Sequence, residues 1–260
     1  MKRINRITLI GWVGAVMMTL TLTACNLKPA EGSKTHTALF IGVDTSGSFR
    51  HSVYYDDSLS FLAHYIYGHL NGLDGLEKPR ELFVGSLGGR SMNEPKAFHP
   101  IQDFQGKDIA QIEADLRGWF PGPDPLTDFN AFIQQVARIS KERNLLLAPI
   151  TVMIVSDGIP DIGPTEAKAD PRDLYKTIDL TPIEFLSKNL TLRLAYASPK
   201  VGDNWRKYIP RQRVRLWTVE AEVMKGWSAQ VQADADPAGQ VRLWEWVKDN
   251  VDFRVRARTI

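Results

Sequence analysis

The sequence predicts an α/β fold: an open, mostly parallel, doubly wound (Rossmann-like) sheet with helices on both faces. Three observations carry this. Short apolar runs rich in β-branched and aromatic residues recur along the chain, as strands buried on both faces require. Segments with apolar residues at helical spacing lie between them, and that alternation is the pattern of parallel βαβ units. After residue 37 no internal repeat, low-complexity tract or Pro/Gly/Ser linker divides the chain, so residues 37–260 read as one domain of ordinary size, ending in a helix and strand extension.

In order, Thr37–Val43 (TALFIGV) reads as the first buried strand. Val53–Leu70 carries apolar residues at mostly helical spacing and stops at Asn71-Gly72, as a C-cap would. Glu81–Leu87 is a second strand, closed by Gly88-Gly89, and Ala97–Phe104 is a shorter strand near a sheet edge. Ile109–Trp119 and Phe129–Ile139 read as helices. Ile150–Val155 (ITVMIV) is the clearest buried strand, and Leu190–Ala197 and Arg213–Val219 are two more. Val219–Val231 and Gln240–Asn250 read as helices. The tail Val251–Arg258 alternates apolar with charged residues, as a strand with one wet face does.

Composition sets outer limits. The 260 residues hold 32 Lys+Arg against 30 Asp+Glu and are 43% hydrophobic, which excludes a disordered chain, a collagen-like repeat and a polytopic membrane protein. One cysteine forms no internal disulfide and no zinc site of two or more thiolates. The near-balanced charge gives no pointer to nucleic acid. The N-terminus has a basic start (Lys2, Arg3, Arg6), then an uncharged run from Ile7 to Ala24, then Cys25. This describes an export signal, although the run is also long enough for a membrane span. Leu22-Thr23-Ala24-Cys25 resembles the lipid-attachment box of bacterial lipoproteins. That resemblance implies loss of residues 1–24 as a signal peptide and acylation of Cys25, with palmitate among the chains. The net charge then passes from +2 to −1 as Lys2, Arg3 and Arg6 leave. Residues 25–36 become the lipidated cysteine and a polar, flexible tether. Asn26 in place of an Asp after the cysteine points to the periplasmic face of the outer membrane in a bacterial envelope.

The residues that carry chemistry sit at strand ends. The first strand runs into Asp44-Thr45-Ser46-Gly47-Ser48, and Ile150–Val155 runs into Ser156-Asp157-Gly158-Ile159-Pro160. Between them, a Pro- and Gly-rich loop leads through Thr127 and Asp128 into a helix. In an open α/β sheet, ligands bind beyond the carboxyl ends of the strands where strand order reverses. Carboxylates and hydroxyls gathered there are ligands for a hard cation, Mg2+ or Mn2+. Here the chain resembles the von Willebrand factor type A family. Its metal-ion-dependent adhesion site (MIDAS) combines Asp-x-Ser-x-Ser after the first strand, a Thr from a later loop and an Asp after the fourth strand. Asp44, Ser46, Ser48, Thr127 and Asp157 fill those positions in order. The resemblance implies that Ser46 and Ser48 bind the metal through their hydroxyls and that Thr127 binds directly or through water. Asp44 and Asp157 act mostly through waters or hydrogen bonds. It further implies a binding module, not an enzyme, in which an Asp or Glu of a protein partner completes the coordination.

Other features have plainer readings. Asp44-Thr45-Ser46-Gly47-Ser48 taken alone is also an ordinary helix-capping turn, and Thr127 or Asp128 also suits a helix cap. Asp124 and Asp161 read as loop decoration. His36, His51, His64, His69 and His99 lack a helical zinc-pair spacing and read as surface or packing residues; Trp205, Trp217, Trp227, Trp244 and Trp246 read as packing. Arg206, Lys207, Arg211, Arg213 and Arg215 form a basic stretch, first a solvated face, second a surface for an anionic envelope or an acidic partner. The leading function is a lipid-anchored, extracytoplasmic, metal-dependent protein-binding module. The competing one is a metal-dependent hydrolase acting on an envelope substrate, for which no general-base motif and no Gly-x-Ser-x-Gly elbow is present.

Overall fold

The computed structural model describes residues 37–161 and 170–253, all within one compact unit, Thr35–Ile260. The expected signal segment (residues 1–24), the expected lipidated Cys25 and tether (residues 25–36), and the part of the expected tail strand beyond residue 253 lie outside the described residues. No helix among the described residues is long and apolar enough to cross a membrane.

The strands are β1 (Ala38–Val43), β2 (Glu81–Ser86), β3 (Gly88–Gly89), β4 (Phe98–Pro100), β5 (Leu126–Thr127), β6 (Ile150–Val155), β7 (Leu190–Ala197) and β8 (Arg215–Glu220). The helices are α1 (Gly47–Arg50), α2 (Tyr55–Asn71), α3 (Ile109–Trp119), α4 (Phe129–Glu142), α5 (Pro171–Lys176), α6 (Thr181–Glu184), α7 (Pro199–Tyr208), α8 (Ala221–Met224) and α9 (Val241–Asn250). The main sheet has six strands in the order β4-β2-β1-β6-β7-β8, parallel except for the short edge strand β4. From β1 the chain goes to β2 on one side, and later places β6 on the other. Strand order therefore reverses between β1 and β6, which opens a crevice at their carboxyl ends.

The sheet is apolar on both faces because alternate residues of each strand serve different layers. Leu39, Ile41 and Val43 pack with residues of α2, α3 and α9, while Ala38 and Phe40 pack with α4, α6 and α7. This matches the expected doubly wound α/β class. The core is so tight that Gly42 of β1 faces the ring of Phe132, where a Cβ would stand 2.8 Å from Cζ. Gly72 ends α2 in the left-handed conformation (φ 63°), as the Asn71-Gly72 pair implied.

Four expectations need correction. Gly88-Gly89 do more than close β2, since they pair antiparallel with Leu126 and Thr127 as a two-stranded ribbon. The helix expected over Val219–Val231 is absent: β8 continues to Glu220, where Val219 pairs with Ala195, and α8 is a single turn. The chain bends so that the Trp227 indole N–H reaches the Asp57 carboxylate at 3.0 Å and its ring meets Phe61, a tertiary gain that outweighs helical propensity. Helix α7 was not anticipated, although Ser198 caps it and Pro199 opens it; among its residues only Val201, Gly202 and Trp205 are buried, too few to show a period. Val251–Phe253 form a turn, not the start of the expected strand.

That turn closes the domain with a buried charge cluster. The Asp252 carboxylate accepts from the Tyr65 hydroxyl and lies 2.8 Å from His69 Nε2, both on α2. Arg193 of β7 donates to the carbonyls of Val251 and Phe253, and its Nε stands 3.7 Å from Asp252. Burial by itself raises the Asp252 carboxyl, but His69, Arg193 and the Tyr65 hydroxyl outweigh it and hold the group below its ordinary 3.8. Asp252→Ala leaves the buried Arg193 without its counter-charge and His69 Nε2 without its partner, and urea titration at pH 7 is expected to show a loss of about 3–5 kcal/mol. A folded-state value below the unfolded one means that this contribution is present above the unfolded value and is lost as pH falls below it. The gap between wild type and variant therefore closes in acid.

Candidate functional site

The crevice between β1 and β6 gathers the residues singled out in the sequence. Val43 pairs with Val155, so Asp44 and Ser156 leave neighbouring strands side by side. Asp44 is fully buried. Its Oδ1 accepts the Ser46 N–H at 2.8 Å, which folds Asp44-Thr45-Ser46 into an Asx-type turn and opens α1 at Ser46. Its Oδ2 accepts the Ser156 hydroxyl at 2.5 Å, and the Thr127 hydroxyl lies 3.5 Å from Oδ1. Ser46 and Ser48 hydroxyls are 3.2 Å apart, and Ser48 also hydrogen-bonds the half-buried Asp157 carboxylate. All five expected residues thus join one connected set at the carboxyl end of the sheet.

Supporting residues fix this set in place. Thr45 donates to Asp124 at 2.6 Å and shares a 2.7 Å hydrogen bond with Ser86, which ties the β1, β2 and proline-rich loops together. Asp161 accepts the Thr127 backbone N–H. Asp124 and Asp161 are therefore loop clamps, not decoration. Asp128, not Thr127, caps α4 by accepting the Ala131 N–H at 2.9 Å, leaving the Thr127 hydroxyl free to face Asp44. Gly158 adopts φ 75°, and a Cβ there would stand 2.7 Å from Leu194; its carbonyl accepts the buried Trp205 indole N–H at 2.7 Å. This locks the backbone next to Asp157. Among the residues that hold Asp44, Ser156 escaped the sequence reading; its position at a strand end directly before Asp157 was the available signal.

The electrostatics leave a charge unanswered. Burial pushes the Asp44 carboxyl up from 3.8 to about 6, against the hydrogen bonds from Ser156 and Ser46, and the Asp157 charge adds to the rise. Burial also raises Asp157, against hydrogen bonds from Ile159 N–H and Ser48, with Asp161 adding to it. No Lys, Arg or His among the described residues pairs with either carboxylate. A buried and a half-buried carboxylate ringed by hydroxyls, with no protein cation among the described residues, have the donor chemistry that a hard divalent metal takes: all five side chains offer oxygen, and no softer ligand is in the set.

No known family profile matches the chain, and no curated protein matches it. Among solved structures it is similar to the human COPII-coat protein Sec24c, with a TM-score of 0.49 and 10% identity over 83% of this chain and 32% of that one. It is similar to the pilus adhesin SpaC of Lactobacillus rhamnosus GG in its open conformation, with a TM-score of 0.46 and 9% identity over 84% and 31%. It is also similar to the SpRpn10 VWA domain, with a TM-score of 0.40 and 11% identity over 78% and 97%. The chain thus spans about a third of the Sec24c and SpaC chains and nearly all of the SpRpn10 domain.

A raised folded-state value makes ionised Asp44 a destabilising group. Its favourable contribution is complete below the unfolded value and is lost as pH rises through about 6. In metal-free protein, chemical denaturation is expected to show a decline of about 3 kcal/mol between pH 3 and pH 7 from this residue. Asp44→Asn is expected to flatten that decline.

Proposed function

We propose that the chain is a lipid-anchored, extracytoplasmic protein-binding module of the von Willebrand factor A type, working through a divalent cation. The observation that carries this reading is the buried Asp44 carboxylate with the half-buried Asp157 beside it, embedded among hydroxyls with no protein cation among the described residues to answer them. Ser46, Ser48 and Thr127 would offer their hydroxyls to Mg2+ or Mn2+, while Asp44 and Asp157 would hold that shell and supply negative charge around it. The bound cation supplies an electrophilic position that attracts a carboxylate. Neutral hydroxyl ligands cancel little of its charge, so an Asp or Glu of a partner protein is a natural further ligand.

The surroundings favour a protein partner. Ile159, two residues past Asp157, is exposed, and so is Met92 in the loop whose Asn93 N–H bonds Asp128. Apolar side chains beside a charged centre suit a surface contact with a polar anchor. The Cys25 anchor is supported by the resemblance of Leu22–Cys25 to a lipid-attachment box; such an anchor would put the module at a bacterial envelope, and Asn26 favours the periplasmic face of the outer membrane.

Calorimetric titration of the full chain in detergent tests the cation. Wild type is expected to bind Mg2+ and Mn2+; Asp44→Ala and Ser48→Ala are expected to lose at least about tenfold in affinity, roughly 1.4 kcal/mol. Equal binding by Ser48→Ala, whose exposed side chain contributes little to folding, would remove the site from consideration. A partner captured from envelope extracts with Mg2+ and released by EDTA is the matching observation for protein binding.

A further inference from the structure

The end of the sheet opposite the candidate metal site has a different chemistry. The amino ends of β1, β6, β7 and β8 are in register there, Ala38 beside Ile150, Ile150 beside Leu190, Thr191 beside Arg215. Three connections cover this end: residues 143–149, 185–189 and 209–214. They are stitched to one another. The Leu147 N–H bonds the Leu186 carbonyl at 2.9 Å, the Ile150 N–H bonds the Asn189 carbonyl at 3.0 Å, and Arg215 reaches Asn189 Oδ1 at 2.7 Å. The buried Glu184 carboxylate is used up by the backbone N–H groups of Gln212 and Arg213.

Large apolar side chains stand out from this platform. Leu147 is 77% exposed, Phe185 64% and Leu146 49%. Leu147 is held at φ 72°, a region a leucine rarely occupies, so the backbone bears strain to display that side chain. The charge is one-sided. Arg143, Lys188, Arg211, Arg213 and Arg215 are in these connections or begin the next strand, and no Asp or Glu is. The Arg213 guanidinium lies over the Phe185 ring, 5.5 Å from its centroid, so cation and apolar tip are displayed together. Glu142 at the end of α4 faces Arg138 at 3.9 Å. Before β2, Lys78 and Arg80 alternate with Glu77 and Glu81, so that corner is balanced.

The chain also enters the domain here, since the Ala38 N–H bonds the Pro149 carbonyl at 2.9 Å, next to Leu146 and Leu147. Residues 26–36 reach at most about 40 Å back to Cys25. Exposed aliphatic and aromatic tips among arginines, at the point where a lipid-anchored tether arrives, match the surface of a bilayer with anionic headgroups. We propose that this end of the domain docks on such a bilayer, with Leu146, Leu147 and Phe185 in the interface and Arg143, Lys188, Arg213 and Arg215 over the headgroups. The inference shares the Cys25 anchor with the proposed function and is independent of the metal site. Docking would direct Asp44 and Asp157 away from the membrane.

Hydrogen–deuterium exchange on the full chain in nanodiscs tests this, comparing phosphatidylcholine alone with phosphatidylcholine plus phosphatidylglycerol. Peptides covering 143–149 and 185–189 are expected to exchange several-fold more slowly in the anionic discs, while those covering 44–48 and 156–159 are unchanged. The Leu147→Asn, Phe185→Ser double variant is expected to erase the difference; asparagine suits the backbone at 147, so the fold is retained. Equal exchange in the two lipids overturns the proposal, and protection that grows with protein copies per disc overturns it in favour of self-association. A chain that leaves the discs overturns the anchor; docking is then decided by flotation with phosphatidylglycerol vesicles, and absence of flotation overturns it.

Discussion

The upper end of the molecule depends on one carboxylate, Asp44, held out of water where two parallel strands end side by side. An isolated buried carboxylate costs several kcal/mol, more than a well-packed side chain recovers. Here the Ser156 hydroxyl and the Ser46 N–H each satisfy one oxygen, and hydrogen bonds to a charged group contribute about 1.5–3 kcal/mol apiece. They offset the burial only in part, since the group still ionises with difficulty. The residual imbalance is a property of the fold, because Asp44 cannot turn toward water while Val43 and Val155 stay paired.

The remaining loops are arranged around that constraint. Thr45 faces away from Asp44 and collects Asp124 and Ser86, so the same short turn binds a carboxylate of its own and two neighbouring loops. The β3–β5 ribbon brings Thr127 to the site, and Asp161 and Asp128 hold the two ends of that segment. Trp205 reaches from α7 to the carbonyl of Gly158. Each loop is thus held by a polar contact with another loop or with a helix, which fixes the positions of the Ser46, Ser48 and Thr127 hydroxyls around Asp44.

Much of the fold was legible because burial writes a direct pattern. The limits of Ile150–Val155, Leu190–Ala197 and Ile109–Trp119 were read without error, the first two as apolar runs and the third as a helix, to which the structure adds an Asp108–Gln111 capping box. That Asp44, Ser46, Ser48, Thr127 and Asp157 gather in one place was foreshadowed by their chemical type and by the family resemblance that set their order. What was not legible depends on partners distant in sequence. Trp227 leaves the helical pattern for Asp57, which lies 170 residues away. Asp161 gains its role from the Thr127 backbone, and His69 from Asp252. Polar residues of this kind carry no period, and only the tertiary structure assigns them.

The closing turn at Val251–Phe253 bears on how the chain is made. Arg193 sits in the fourth of the five parallel strands in chain order, yet its hydrogen bonds go to carbonyls of Val251 and Phe253, and the His69–Asp252 hydrogen bond waits for the same segment. Synthesis proceeds from the amino end, so a growing chain carries an unanswered arginine in its central sheet until residue 253 has emerged. Final consolidation of the sheet therefore waits until that turn has been made.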